Sequence, residues 1–464
     1  MLRRSLPVVI TPYSSLLVKA LPSSSCRNIS TFRPRPGLSV AIVGGGPGGL
    51  TLARILQRNG INPSVFEREA SVNERSQGGS LDLHHESGLK ALKDAGLIRE
   101  FKARARFDGD ATRIQDKTGK VYLEKSPDTI KSEDDPHARP EIDRYVHSFC
   151  FITRCIPITP TIHLFRVDLR AILLDSITKD TIQWGRTVKS VVLSDDQKHT
   201  LTFTDNSKET YDLVVGADGA WSVVRPLLTP NLPAYTGISF IDVIISDIAN
   251  RFPSLSAAAG LGSVFSLSHN KAILTQRQSH GNLRIYAALR VPESWSKSFK
   301  PTRDAVLGMY NDGWSSDILE FLRSYDESSL VLRNLYALPV PTTWETHPGL
   351  TLIGDAAHLM SPFAGEGMRF LFSFIYIKLQ YNNTILLGVN QAMQDANELA
   401  HAIIDVAKGA NTLSEAVKQY EQKMFERVEV LGKDSEENLF LFFEKDAPNG
   451  MVDKFKVYMR PSEP

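Results

Sequence analysis

Apolar residues along this chain follow two periods, and where one gives way to the other marks the elements. Leu38-Ser-Val-Ala-Ile-Val43 is a short, nearly continuous apolar run, the pattern of a strand covered on both faces in a parallel sheet. Apolar positions at helical spacing follow from Gly48 to Asn59, then a second short strand, Ser64-Val-Phe-Glu67. Helices are expected over Glu86–Leu97 and Asp168–Ile177, the latter with Leu169, Ile172 and Leu173 on one face. Strands near Thr187–Leu193, His199–Thr204 and Asp212–Gly216 are expected to return the chain to the first sheet. From Pro226 to Pro341, strict alternation, as in Asn282-Leu-Arg-Ile-Tyr-Ala-Ala-Leu-Arg-Val291, predicts strands with one covered face, followed by a helical stretch over Asp304–Tyr325. Leu350–Ile353 reads as a last strand. Gln391 to Phe443 reads as helix, with apolar faces suited to core or dimer packing.

The chemistry sits at the seams between these elements. Gly44-x-Gly46-x-x-Gly49 falls between the first strand and the first helix. Glycine there lets the backbone approach a pyrophosphate at the positive end of the helix, and an acid closing the next strand, here Glu67, can bond a ribose hydroxyl. A second seam is Asp212-Leu-Val-Val-Gly-Ala-Asp-Gly-Ala-Trp-Ser-Val-Val-Arg225. The third is Gly354-Asp355-Ala-Ala-His358, with Pro362 just beyond.

These three segments, in this order, resemble the fingerprints of FAD-dependent aromatic hydroxylases. The chain resembles the group A flavoprotein monooxygenases of the para-hydroxybenzoate hydroxylase type, and within them the tetracycline-inactivating branch. That likeness is carried by Gly79-Ser-Leu-Asp-Leu-His84, Asp168-Leu-Arg-Ala-Ile-Leu-Leu174, Ile353-Gly-Asp-Ala-Ala-His-Leu-Met360 and Tyr420-Glu-Gln-Lys-Met424. The resemblance implies an α/β fold: a Rossmann-like FAD-binding domain, an inserted β-sheet substrate domain, and C-terminal helices. It implies boundaries of 37–225 and 346–445 for the two parts of the FAD-binding domain, 226–345 for the substrate domain, and a tail over 446–464.

FAD would be held by Gly44, Gly46, Gly49 and Glu67, with Asp82, Arg170 on the pyrophosphate, Asp218, Asp355 on the ribityl or ribose, and Gly365 and Gly367 opening the last helix. Arg75 matches an arginine assigned to NADPH, and His269 aligns with a substrate-facing histidine; a solvated arginine and a sheet histidine are the plainer readings. His358 is expected to support the turn it follows. The implied reaction uses NADPH or NADH and O2 to hydroxylate an aromatic or enolic small molecule through a flavin C4a-hydroperoxide, with no catalytic side chain required. A flavin reductase or dehydrogenase on the same fold is the rival, and a product of a mis-spliced gene that binds no flavin is a second. A separate NADPH domain is not expected, because the chain has no second Gly-x-Gly-x-x-Gly.

Charge and composition change little in this picture. A net charge of +1 gives no reason to expect nucleic acid, no apolar run predicts membrane insertion, and no His, Cys or carboxylate spacing points to a metal. Three cysteines are too few for a disulfide framework; either a monomer or a homodimer is compatible. The first 36 residues differ: they hold Arg3, Arg4, Lys19, Arg27, Arg33 and Arg35, and the first carboxylate in the chain is Glu67. This resembles a mitochondrial presequence, although Pro7, Pro12 and Pro22 suit a disordered tail on a cytoplasmic protein equally well.

Two acid-free stretches interrupt the family pattern. Tyr145–Arg166 separates Pro140-Glu-Ile-Asp-Arg144 from Val167-Asp-Leu-Arg, and Met368–Gly388 separates Phe363-Ala-Gly-Glu-Gly367 from Val389-Asn-Gln-Ala. Arg144-Tyr-Val can be encoded with GTATGT and Gly367-Met-Arg with GTATGCG, both splice-donor-like. Excising either stretch restores the pattern in frame. We expect both to be translated introns; surface insertions are the alternative.

Overall fold

The computed structural model describes residues 37–72, 74, 80–105, 111–125, 141–143, 169–194, 198–278, 281–364 and 388–459. Among the described residues, the first seam lies in a five-stranded sheet. Its middle strand is β1 (Val40–Val43). On one side lie β2 (Ser64–Glu67) and then β7 (Ile182–Trp184); on the other lie β11 (Leu213–Gly216) and then β17 (Leu350–Leu352). Every pairing is parallel. Covered on both faces, β1 and β11 are buried throughout, which is why their sequences are apolar without alternation. Helix α1 (Pro47–Arg58) starts on Gly46 with proline in its first turn, where the missing N–H costs nothing, and buries Leu50, Leu52, Ile55 and Leu56. Helices α2 (Gly88–Ala95), α3 (Ile98–Lys102) and α4 (Leu169–Ser176) complete this layer. A two-stranded ladder joins β3 (Ser80–Asp82) to β6 (Glu141–Asp143).

Two strands expected in that sheet are not there. β8 (Val188–Leu193) and β9 (His199–Phe203) pair with β10 (Lys208–Tyr211) in a separate antiparallel sheet. Short connections favour this: an antiparallel neighbour needs only a turn, whereas a parallel one needs a crossover. β8 is also covered on one side only, with Val188 and Val191 buried and Val192 and Leu193 exposed.

The substrate-domain sheet has seven strands, in the order β16 (Val331–Ala337), β12 (Ala234–Ile245), β15 (Leu283–Arg290), β14 (Lys271–Arg277), β13 (Ser263–Ser268), β4 (Thr112–Asp116), β5 (Val121–Lys125). The last two correct the expected boundary. They lie within 37–225 in sequence, yet β4 runs parallel to β13 and extends the second sheet. One face, with Ile241, Val243, Ile273, Leu283 and Ile285, packs on α8 (Arg303–Gly308) and α9 (Ser316–Arg323) through Tyr310 and Trp314. The short α5 (Ile248–Arg251), α6 (Pro253–Ala259) and α7 (Trp295–Ser298) lie in the connections. The other face carries Phe240, Phe265 and Leu267 against Phe363, Phe442 and Phe443. The single helical stretch expected over Asp304–Tyr325 is two helices, each with its own side-chain cap (Thr302, Ser315), separated by Gly313 at φ +86°.

C-terminal to β17 come α10 (Asp355–His358), α11 (Gly388–Ala407), α12 (Leu413–Phe443) and α13 (Asn449–Met459). α11 and α12 replace one expected helix. The break comes at Gly409, φ +76°, followed by a capping box in which Thr412 and Glu415 satisfy each other's backbone N–H. The expected tail over 446–464 instead includes α13, whose Met451 and Val452 are buried with Phe442 and Phe443. No helix of the described residues is long and apolar enough to cross a membrane.

Candidate cofactor site

The glycine turn is built from contacts that no side chain could share. Gly44 has φ +114°, and a Cβ there would lie 2.3 Å from the Ala217 carbonyl oxygen; one at Gly49 would lie 2.2 Å from the Gly44 oxygen. At Gly46 a Cβ would meet nothing within 4 Å, so that position faces open space at the head of α1. Backbone bonds fix the turn between strands: Gly44 N–H donates to Phe66 O (2.8 Å) and Ala217 N–H to Val43 O (2.7 Å). Glu67, 6% exposed, accepts the Gly45 N–H at 2.7 Å on Oε2 and the Glu69 N–H at 3.0 Å on Oε1. Arg170 comes from α4. Its Nε donates to Gly45 O (3.2 Å) and its Nη1 to Glu69 Oε2 (2.9 Å), while Nη2 lies 3.9 Å from Glu67 Oε2. Both side chains therefore brace the glycine turn, a role that their sequence pattern does not assign to them.

The second seam follows β11. Asp218 Oδ2 accepts the Val223 N–H at 2.7 Å, and its Oδ1 is buried with no partner. Burial pushes the Asp218 carboxyl above its ordinary value, against the pull of Ser222, the Val223 N–H and Arg225. Arg225 is 1% exposed and donates to Ala356 O (3.1 Å) and Ala220 O (2.6 Å). It staples the second seam to the third.

The third seam leaves β17 through Gly354, at φ +60° and ψ −142°, where a Cβ would lie 2.7 Å from the Ala392 Cβ of α11. The exposed Asp355 has no hydrogen-bond partner among the described residues. His358, as expected, supports the turn: its Nε2 lies 2.6 Å from Asp395 Oδ2, which also accepts the Gly354 N–H at 2.8 Å. Asp395 has no role assigned from sequence; only the tertiary contact shows its partner.

Gly44, Gly46, Gly49, Glu67, Arg170, Asp218 and Asp355 line one cavity of about 300 Å³, at the carboxyl ends of the parallel strands. Arg68 and Arg186 add positive charge to its wall, and Gly388 and Val389 bring the first turn of α11 to it. A helix N-terminus beside cations suits a pyrophosphate, and the unpartnered Asp218 Oδ1 and free Asp355 carboxylate suit hydroxyl donors. The residues present fit FAD. Arg75, Gly365 and Gly367 lie outside the described residues. Asp82 ends β3, and its side chain lies outside the described residues. His269, expected from sequence as a substrate contact, is exposed in the tight turn between β13 and β14 and is not among the residues that line this cofactor cavity. Among the described residues no cluster of His, Cys, Asp and Glu could hold a metal.

Comparison with known proteins agrees with this geometry. Residues 37–254 match the FAD binding domain family. The chain is 29% identical to Monooxygenase asqM of Emericella nidulans, covering 88% of this chain and 96% of that protein. It is 26% identical to the 3-amino-4-hydroxybenzoate 2-monooxygenase PtnB3 of Streptomyces platensis, over 91% of each. In fold it is similar to Klebsiella pneumoniae HpxO complexed with FAD and uric acid, with a TM-score of 0.66 at 18% identity, covering 91% of this chain and 92% of that one. With an FAD binding domain matched over residues 37–254, a second sheet built into it and the three seams converging on one cavity, the chain is similar over most of its length to FAD-dependent monooxygenases.

Proposed function

We propose that the protein uses NADPH or NADH and O2 to hydroxylate an aromatic or enolic small molecule. The observation that carries this reading is the convergence of seven motif residues, from four separated segments, on one cavity. Bound FAD would supply the reduction and oxygen chemistry. The chain's part is to hold and orient it. The α1 amides and Arg170 would meet the pyrophosphate, Glu67 the ribose, and Asp218 and Asp355 the remaining hydroxyls. The aromatic sheet face of Phe240 and Phe265, closed by Phe363, supplies water-excluding surface next to the third seam.

The test uses purified full-length protein. A bound flavin spectrum, NADPH- or NADH-dependent O2 uptake, and a phenolic product carrying an atom of labelled O2 are expected. Nucleotide oxidation with a reduced alkene and no oxygen incorporated would instead assign a reductase. A colourless protein that takes up no added FAD would reject both.

A further inference from the structure

Behind the third seam lies a buried ionic cluster that touches no candidate ligand. Asp395 of α11 is fully buried, as is the His358 side chain but for 5% of its surface. One Asp395 oxygen, Oδ2, accepts both the Gly354 N–H (2.8 Å) and His358 Nε2 (2.6 Å). The other, Oδ1, is paired with Nη2 of Arg427 from α12. Arg427 is in turn fixed by Glu398 Oε2 (2.8 Å) and Gln391 Oε1 (2.8 Å). Burial alone would raise the Asp395 carboxyl; His358, Arg427 and the Gly354 N–H together hold it below its ordinary value. So the carboxylate stays charged where it is needed as a double acceptor.

This costs more than an apolar core would, and its position indicates what it does. Gly354 is in left-handed backbone, and a wrong rotation there would swing Asp355 out of the cavity. The Asp395 bond is made to the N–H of that very residue. The same cluster ties the turn to α11, whose first turn lines the cavity, and to α12, whose Tyr420 hydroxyl donates to Leu352 O at 2.9 Å.

We propose that Asp395, held by His358 and Arg427, is a positioning residue for FAD: it fixes the Gly354 turn and thereby aims Asp355. The inference rests on the reading that Asp355 contacts FAD. The test is a double-mutant cycle read by flavin fluorescence on FAD titration of the full-length apoprotein. Asp395→Asn and Asp355→Ala should each weaken FAD about tenfold. Asp395→Asn made in the Asp355→Ala background should weaken it less than about twofold more. A purely structural aspartate would give independent effects that multiply, and that result, or parent-like affinity in Asp395→Asn, overturns the proposal. Should Asp395→Asn not fold, Arg427→Gln takes its place in the cycle under the same criterion. Parent-like affinity in Asp355→Ala would remove the Asp355 contact itself, and the proposal with it; full additivity would remove the proposal alone.

Discussion

Gly354 and Asp355 are neighbours, yet their substitution should fail in different ways. A Cβ at Gly354 would sit 2.7 Å from the Ala392 Cβ at φ +60°, so Gly354→Ala combines overpacking with left-handed strain. Each costs about 1–3 kcal/mol. The apoprotein itself should melt lower and hold no flavin. Asp355 is exposed and unpartnered among the described residues, so Asp355→Ala should leave the apoprotein melting temperature unchanged and show its effect only when FAD is added. Loss of a charged acceptor costs about 1.5–3 kcal/mol, roughly 10- to 150-fold in Kd. Glu67→Ala lies between them. It removes the acceptor for the Gly45 and Glu69 N–H groups, so both apoprotein stability and FAD affinity should fall. Melting curves with and without FAD separate the three; a Glu67→Ala apoprotein as stable as the parent would refute the bracing role. Residue types at the seams were legible in sequence, because Gly44, Gly49 and Gly354 leave no room for a side chain and a carboxylate accepts strongly from both amide and hydroxyl donors. The double duty of Glu67 and Arg170 was not, since it depends on β2 and α4 meeting across the turn.

Elements whose contacts are local were read well: β1, α1, α4 and β17 lie within about two residues of their expected bounds. Elements placed by long-range pairing were not. β4 and β5 join a sheet whose other strands begin at Ala234, and nothing in Thr112–Lys125 names that partner. Tyr420-Glu-Gln-Lys-Met424 stood out in sequence only as a likeness. In the fold this segment is where α12 grips β17, the strand that delivers Asp355. Glu421 accepts Trp344 Nε1 (2.8 Å), Thr351 Oγ1 (2.8 Å) and Thr346 Oγ1 (2.6 Å). Burial nonetheless raises its carboxyl above the ordinary value, against those three bonds and His347. A carboxyl raised in the folded state binds its proton more tightly there than in the unfolded chain. Its contribution is complete below the unfolded value and declines as pH rises through the window up to the folded one. Glu421→Gln, neutral throughout, should flatten that decline in melting temperature as pH rises above the ordinary carboxylate range. An unchanged slope would show that Glu421 does not titrate in this window.

At the scale of the whole molecule, the effect of the Met368–Gly388 segment on cofactor binding can be measured directly. The structure shows what the far side of Met368–Gly388 must join. Gly388 begins α11 at the cavity, and a Cβ there would sit 3.1 Å from Asp355 Oδ1. The position therefore suits a glycine beside the carboxylate. Excising Met368–Gly388 removes Gly388 but brings Gly367 to the residue before Val389, so the glycine at that place is kept. The N–H groups at the head of α11 would then follow directly on Gly365-Glu-Gly367, a preorganised site for the partial negative charge of a bound flavin. The shortened chain should bind FAD at least as tightly as the full one and show the larger FAD-dependent rise in melting temperature, because a ligand that binds only the folded state stabilises it in proportion to RT ln(1 + [L]/Kd). Parallel expression of the two forms, with flavin content and melting curves, makes the comparison, and transcript sequencing across the segment makes it independently. A shortened protein that misfolds or stays colourless while the full-length chain is yellow would make Met368–Gly388 a genuine insertion.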